Sequence, residues 1–310
     1  MIECYEFVSL YHPDRLCDLL TSYLLDYCIQ KDKYVDYRVE CVIDEHLLIM
    51  YGDIKINCEL TEEEVISYMN KICKRLHLSY QFFSTIIITT IKTTSREIIG
   101  TGNYYGLATQ TKSFLPDFYS QCHKIACYLD YQLTQDFYKV YFYKDEDQFN
   151  IDVIVTNPQL QLAHFQSLII PYISYVFNNA YYYINLSCKI IKRPLGNTGR
   201  KLGIDYYNGL ISNNGGSPWG KDPYNSDLAL NLYARKLAID MIKKLHIPYI
   251  QVKLSYFGQN QGKIELKDEN NKLIAYKQKL SLNKDLVKIL HLNKPIYVDF
   301  CKKGLFFSKI

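Results

Sequence analysis

One order of elements recurs three times along this chain of 310 residues. An extended segment leads into an amphipathic helix, a β-rich hairpin follows, then a second amphipathic helix, then an apolar strand. In the first round the pattern predicts a helix from about Pro13 to Gln30, with proline in its first turn and Leu16, Leu19, Leu20, Tyr23, Leu24 and Tyr27 on one face. The second helix begins at Thr61, where Glu64 completes a capping box, and buries Val65, Met69, Ile72 and Leu76. In the second round the helices follow Pro116, with Cys122, Ile125 and Leu129 inward, and Asn157-Pro158, with Leu162, Phe165, Ile169 and Tyr172 inward. In the third they start at Ser226-Asp227, with Leu230, Tyr233, Leu237 and Met241 inward, and near Leu282, Leu286 and Ile289. Hairpins are predicted over Arg38–Ile56, Phe137–Val155 and Tyr249–Gln278, the last two broken at Lys144–Asp147 and Asp268–Asn271. Closing strands are predicted at Phe83–Ile91, Tyr181–Ile191 and Pro295–Phe300.

A repeat of element order without sequence identity points to an α+β fold, in which mixed sheets carry helices on one face and bury each amphipathic stripe. Three such strand-helix-hairpin-helix-strand units, expected at 1–99, 100–192 and 193–310, would meet at their sheet sides in one body. Three unrelated α+β segments would account less well for the matched order.

Hydrophobic residues make up 48% of the chain, enough for a large core. A formal charge of +4 is too small to argue for a nucleic-acid or membrane surface. The 30 tyrosines are spread over the whole chain, which speaks for compositional bias and against a base-stacking surface. The ten cysteines contain no Cys-x-x-Cys pair, so no zinc framework follows. No apolar run reaches the roughly 18 residues of a membrane span, and no basic-then-apolar leader opens the chain. A cytoplasmic protein with free thiols is expected, and the Asn185-Leu-Ser sequon carries no weight without a secretion signal.

Two segments carry the chemistry. Tyr11-His12-Pro13-Asp14-Arg15 puts an imidazole, a carboxylate and a cation at the mouth of the first helix, where free N–H groups and the positive dipole end attract anions. His12 can donate to a phosphate or ribose oxygen, and Asp14 can hold a hard cation such as Mg²⁺. Alone, the same residues would serve as a cap and a dipole partner. The run TGRKLGIDYYNGLISNNGGSPWGKDPYNSD, Thr198 to Asp227, shifts that balance. Arg200 offers a planar fork for phosphate oxygens and Lys201 a point charge. Gly215-Gly216 lets backbone approach a ligand, and Lys221 sits in a tight Gly-Lys-Asp-Pro turn. Asp227, like Asp14, lies in the first turn of a helix, and the two carboxylates could share metal ions on a polyphosphate.

The run EFVSLYHPDRLCD resembles the N-terminal signature of the methionine adenosyltransferases, or S-adenosylmethionine synthetases, Glu-Ser-Val-Ser-Glu-Gly-His-Pro-Asp-Lys. The Thr198–Asp227 run resembles the family's Thr-Gly-Arg-Lys, Asp-x-Tyr-Gly-Gly, Gly-Gly-Gly and Ser-Gly-Lys-Asp-Pro-x-Lys-x-Asp. Gly100-Thr-Gly-Asn103 is similar to its Gly-Ala-Gly-Asp, and Lys294-Pro295-Ile296-Tyr297 to its His-Pro-Ile-Tyr. The matches run in order along the whole chain. The family fold has three similar α/β units around a pseudo-threefold axis, in keeping with the rhythm above.

The resemblance implies synthesis of S-adenosylmethionine from ATP and L-methionine. Sulfur attacks the ribose C5′, the triphosphate leaves, and the same site cleaves it to pyrophosphate and phosphate. His12 would bond the leaving oxygen or the phosphate chain, while Arg200, Lys201 and Lys221 would hold the triphosphate, with Ser217 on the ATP side. Asp14 and Asp227 would bind Mg²⁺, two ions per site, and Glu6, Asp53, Thr94, Asn103 and Asn225 would serve the methionine side. The site is expected between two subunits of a homodimer, with dimers able to pair into tetramers.

Several positions depart from the family. The stretch from Ser95 to Asn103 is very short where the family has a long lid, and Thr94 stands for the glutamine at the lid's base. Asn103, Asn197 and Asn225 replace an aspartate, a second aspartate and a lysine. The glutamate that binds a monovalent cation falls at Val42, with Glu40 read as one position off and on the opposite face, which puts K⁺ dependence in question. The family's Asp-x-Lys at a strand start, on the ATP side, is approximated by Asp136 and Lys139. A non-catalytic partner subunit and a triphosphatase are the alternatives.

Overall fold

Local chemistry starts the main helices. His12 is the N-cap of α1 (Pro13–Lys31), and its Nδ1 accepts the Asp14 N–H at 3.1 Å. Thr61 caps α2 (Glu62–Arg75) with both halves of the capping box, at 3.2 and 3.1 Å. Asn225 caps α6 (Ser226–Leu245), which follows the single-turn α5 (Leu202–Asp205), and its side chain accepts the Asp227 N–H at 2.9 Å. α3 (Asp117–Gln132) follows Pro116 as predicted, and buries Cys122, Ile125 and Leu129. The computed structural model describes residues 3–133, 137–145, 148–155, 162–177, 181–188, 194–282 and 285–307. The predicted start of α4 (Leu162–Phe177) at Asn157-Pro158 lies outside these.

The strands are β1 (Glu3–Val8), β2 (Asp36–Asp44), β3 (Leu47–Ile56), β4 (Gln81–Thr90), β5 (Gly102–Thr109), β6 (Tyr138–Asp145), β7 (Gln148–Val155), β8 (Tyr181–Cys188), β9 (Gly196–Asn197), β10 (Tyr249–Gly258), β11 (Gln261–Lys267) and β12 (Leu273–Ser281). Among the described residues they form three four-stranded sheets, ordered β1-β6-β7-β8, β9-β2-β3-β4 and β5-β10-β11-β12. Each sheet is built on a hairpin flanked by a strand from a remote part of the chain: β1 joins β6, β9 joins β2 and β5 joins β10, all antiparallel. The β9 exchange positions the site, because it lays the start of the Thr198–Asp227 run across β2.

The third sheet departs from the predicted order. β4 and β8 lie parallel to their neighbours, each reached through a helix, as a parallel connection requires. Residues 268–272 between β11 and β12 are too few for a crossover, so β12 returns antiparallel. The hairpin predicted as one broken run has a further turn at Gln259-Asn260, both with positive φ (50° and 58°). The strand predicted at Pro295–Phe300 is a correction. That segment enters α8 (Tyr297–Lys303), which follows the short α7 (Leu286–Ile289). The cause is remote: the Asp26 carboxylate on α1 accepts the N–H groups of Tyr297 and Val298, each at 3.0 Å, and so caps α8.

α1 and α6 are buried beyond their predicted apolar stripes. Arg15, Asp18, Ser22 and Asp26 of α1 are buried beside its leucines. In α6 the buried residues include Leu228, Leu230, Leu232, Ala234, Arg235, Ala238 and Ile242, whereas Tyr233, Leu237 and Met241 are only partly covered. The predicted stripe misses because α6 packs on β5 and β10 on one side and on the polar loops of the site on another. The described cysteines are free thiols, and no helix among the described residues is long and apolar enough to cross a membrane.

His123 of α3 pins the C-terminal segment. Its Nδ1 lies 2.7 Å from the Tyr5 hydroxyl, its Nε2 2.7 Å from the Lys303 carbonyl, and its ring stacks on Phe307 at 3.5 Å. Burial pushes its pKa down from 6.5 to about 4. Between those values the unfolded chain binds a proton that the folded chain refuses, so stability falls as pH drops through the window, by roughly 3 kcal/mol in full. His123→Gln should remove that slope, read from urea unfolding at pH 7 and pH 5. Asp26 and Asp130, raised by burial to about 6, act in the opposite sense and His12, lowered to about 4, in the same sense, but all three are present in both proteins and cancel from the comparison. Equal slopes in wild type and variant would contradict the assignment.

Candidate active site

The first cluster gathers at the N-terminus of α1. Asp14 Oδ1 accepts the Asn197 N–H at 2.9 Å, and Lys201 Nζ bonds Asp14 Oδ2. Arg200 lies 3.9 Å from Asp14, donates to the Leu195 carbonyl at 3.3 Å, and is more than half exposed. His12 is buried edge-on against Phe137 at 4.6 Å between ring centroids. Desolvation, then the Lys201 charge, lowers its pKa to about 4, so the ring is neutral at physiological pH. Because Nδ1 accepts the Asp14 N–H, the proton of that neutral ring is assigned to Nε2, a hydrogen-bond donor. Lys139, opposite Val8 in the β1–β6 register, is near enough to add to the lowering of His12 and stands 3.9 Å from Glu6.

The second cluster repeats the design at the N-terminus of α6. Lys221 Nζ donates to Asp227 Oδ2 at 2.6 Å, and Asn214 donates to Oδ1 at 2.7 Å. Each helix start therefore carries an N-cap side chain, an aspartate two residues on, and a lysine from the 196–222 segment. Gly216 is pressed against this aspartate: a Cβ there would lie 2.4 Å from the Asp227 carboxyl carbon. Gly216→Ala should displace Asp227 from Lys221 and Asn214 and speed amide exchange at Asp227 by on the order of tenfold or more. Gly203→Ala, with nothing within 4 Å of the added methyl, is the control, and equal behaviour of the two would refute the placement.

The clusters flank one ridge. Gly199, at φ 75°, packs on Ser217, where a Cβ would meet the hydroxyl oxygen at 2.4 Å. The Gly220 carbonyl accepts the Val39 N–H at 3.0 Å, and Lys221 bridges Arg38 on β2. Among the described residues the bonding partners of Asp14 and of Asp227 do not overlap, so each carboxylate has its own lysine. No three acidic, histidine or cysteine side chains converge as a metal cage among the described residues. Single carboxylates still suit Mg²⁺, which takes one or two of them and completes its shell with phosphate oxygens and water.

Other predicted residues are scattered. Glu6 lies on β1 with its backbone clasped by Asn208, at 2.9 and 2.7 Å. Asp53 on β3 stands opposite Arg38, with one carboxylate oxygen buried and lacking a hydrogen-bond partner. Thr94 is exposed between β4 and β5. Asn103 accepts from Ser255 at 2.6 Å at the edge of the third sheet, and joins neither cluster. Asn225 acts through its cap on α6. Asp136 lies outside the described residues. Glu40 and Val42 are two residues apart on β2 and so share a face, which corrects the expectation that Glu40 points the other way. Burial raises the Glu40 pKa, opposed by the nearby Lys221 charge. Val42 offers no side-chain oxygen to a monovalent cation.

The comparisons with known proteins converge. Residues 2–96 match the S-adenosylmethionine synthetase N-terminal domain, and residues 192–309 its C-terminal domain. The chain belongs to the S-adenosylmethionine synthetase family. It is 24% identical to the S-adenosylmethionine synthase of Clostridium tetani, covering 95% of this chain and 91% of that one. It is 23% identical to that of Mycoplasmopsis synoviae, covering 92% and 87%. Its fold is similar to a structure described as an unusual S-adenosylmethionine synthetase from Campylobacter jejuni, with a TM-score of 0.78 at 16% identity over 98% and 94% of the two chains.

Within this S-adenosylmethionine synthetase fold, the sequence predictions miss the residues that hold the clusters from behind. Asp18 is fully buried and accepts the Gly199 N–H at 2.7 Å, which fixes the backbone just before Arg200. Arg15 donates to Asp205 at 2.7 Å and to the Cys301 carbonyl at 2.7 Å. Desolvation raises both Asp18 and Asp205, and Arg15 pulls each back toward the ionised form. A charged residue every third or fourth position along a helix looks like a solvated face, so only burial distinguishes these from surface charges.

Proposed function

We propose that this chain is a methionine adenosyltransferase, forming S-adenosylmethionine from ATP and L-methionine and releasing phosphate and pyrophosphate. The observation that carries the reading is the matched pair of Lys–Asp contacts, Lys201 with Asp14 and Lys221 with Asp227, each at a helix N-terminus. In the free protein each lysine neutralises its aspartate. A triphosphate would draw Lys201, Lys221, Arg200 and Lys139 onto its oxygens and release the carboxylates for their other task. Asp14 and Asp227 would hold Mg²⁺, which would supply charge neutralisation for the departing group.

Methionine sulfur attacks C5′, the C5′–O bond breaks, and the triphosphate leaves with the bonding electrons. The Nε2–H of neutral His12 is suited to donate to the oxygen that gains charge, with the cations stabilising the rest. No covalent enzyme intermediate is needed, so orientation and electrostatics carry the rate. The orphaned oxygen of Asp53 is suited to the methionine ammonium. Asn197, Ser217, Glu6, Asn103, Thr94 and Asn225 complete the proposed lining on the ATP and methionine sides.

The proposed working unit is a cytoplasmic homodimer in which each subunit completes its partner's site. The non-overlapping partners of Asp14 and Asp227 support it. So does the outer face of the β9-β2-β3-β4 sheet, where Tyr51, Phe83 and Ile87 are 41%, 45% and 70% exposed beside Glu40 and Asp53. The test is one coupled assay with ATP and Mg²⁺, with and without methionine, reading S-adenosylmethionine and phosphate. Methionine-dependent formation of both is expected. A folded protein giving no product would reject the proposal, and phosphate release from triphosphate without adenosyl transfer would mark a triphosphatase.

A further inference from the structure

We propose that Arg96 is a positioning residue for the phosphate-binding turn, and that the connector 91–101 is a fixed strap, not a moving cover; this rests on the adenosyltransferase reading. The connector spans the gap between β4 and β5. The Arg96 side chain is 8% exposed and grips Asp222 with two prongs, NH1 at 3.2 Å from Oδ1 and NH2 at 3.3 Å from Oδ2. NH2 also lies 3.5 Å from Asp36, NH1 donates to the Val35 carbonyl, and the guanidinium stands 5.0 Å from the Tyr224 ring centroid.

Asp222 is the residue after Lys221. Its carboxylate accepts the N–H groups of Tyr224 at 2.8 Å and Tyr37 at 3.3 Å, and its own N–H donates to the Tyr37 carbonyl at 3.1 Å. Arg96 thereby clamps the turn that aims Lys221. Three residues further on, the strap fixes the other end of the same turn. Ile99 donates to the Tyr224 carbonyl at 2.8 Å, and Ser226 donates back to the Ile99 carbonyl at 3.0 Å. Those rungs enclose Asn225, the cap that holds the Asp227 N–H. Ile98 between the two anchors is buried. To swing open, the connector would have to strip a buried guanidinium from two carboxylates and break both rungs. The strap thus holds a lysine and its aspartate at one spacing.

The experiment uses the full chain with Arg96→Ala and Arg96→Lys. Three readouts apply: affinity for inorganic tripolyphosphate by calorimetry, KM for ATP against KM for methionine, and amide exchange at Ile99, Ser226 and Asp227. Arg96→Ala should weaken tripolyphosphate and raise KM for ATP by on the order of 10- to 100-fold, raise KM for methionine by clearly less, and speed exchange at those amides. Arg96→Lys keeps the charge without the fork and should fall between, which covers the case in which the alanine variant does not fold. Low-millimolar guanidinium should restore part of the alanine variant's tripolyphosphate affinity. Wild-type affinity and amide protection in the variants would overturn the inference, as would equal losses for both substrates with exchange raised throughout. If the wild type makes no S-adenosylmethionine while the variants still lose tripolyphosphate affinity and local protection, the adenosyltransferase reading fails and the positioning role stands.

Discussion

Lys221→Ala is expected to lower kcat for S-adenosylmethionine formation by on the order of 10²- to 10³-fold, the usual loss when a preorganised charge facing the departing group is removed. Lys221 has a defined aim. The backbone on both sides of it is pinned to β2, through Val39 N–H to the Gly220 carbonyl at 3.0 Å and Asp222 N–H to the Tyr37 carbonyl at 3.1 Å. Its Nζ is 2.6 Å from Asp227. The pair is partly exposed, with side-chain exposures of 26% and 20%, so its loss should change folding stability little. That separates the catalytic effect from a structural one. Lys221→Arg keeps the charge but alters reach and geometry, and should retain more activity than alanine. A Lys221→Ala enzyme within tenfold of wild-type kcat would show that the Asp227 cluster does not face the triphosphate.

Arg15→Met is expected to destabilise the fold by roughly 3–5 kcal/mol, because removing one partner of a buried ion group leaves the others uncompensated. Asp18 and Asp205 are both buried, and Asp18 already has one oxygen without a hydrogen-bond partner. The penalty should shrink at acid pH, where the stranded carboxylates, raised by burial, take up protons in the folded state. Urea unfolding at pH 7.5 and pH 5.5 measures both effects. A loss below about 1 kcal/mol at neutral pH would mean that water or a rearranged partner already serves these acids. The same variant should impair activity, since Asp18 holds Gly199 beside Arg200.

What could be read from the residues was local. The capping box of α2, the start of α6 at Ser226 and the proline start of α1 involve neighbours within a few positions, and each is where the pattern puts it. The turn at Gln259-Asn260 escaped because neither residue is glycine and both still adopt positive φ. The change from strand to helix at Tyr297 escaped because its cap, Asp26, is 271 residues away. The face of α6 was misjudged because a helix enclosed on several sides has no single stripe to read. Arg96 had no motif to announce it; its importance comes from two carboxylates that meet it only in space.

The residues by themselves determined the identity of the cations and carboxylates, the helix starts that present Asp14 and Asp227, and the family. Each of these depends on short-range backbone chemistry or on the order of motifs. Only the tertiary structure decided which lysine meets which aspartate, that β1, β5 and β9 cross into sheets built by other parts of the chain, and that Arg15, Asp18 and Asp205 are core and not surface. Those outcomes depend on contacts such as Lys201 with Asp14, 187 positions apart, whose partners are chosen by packing and by the need to pair every buried charge.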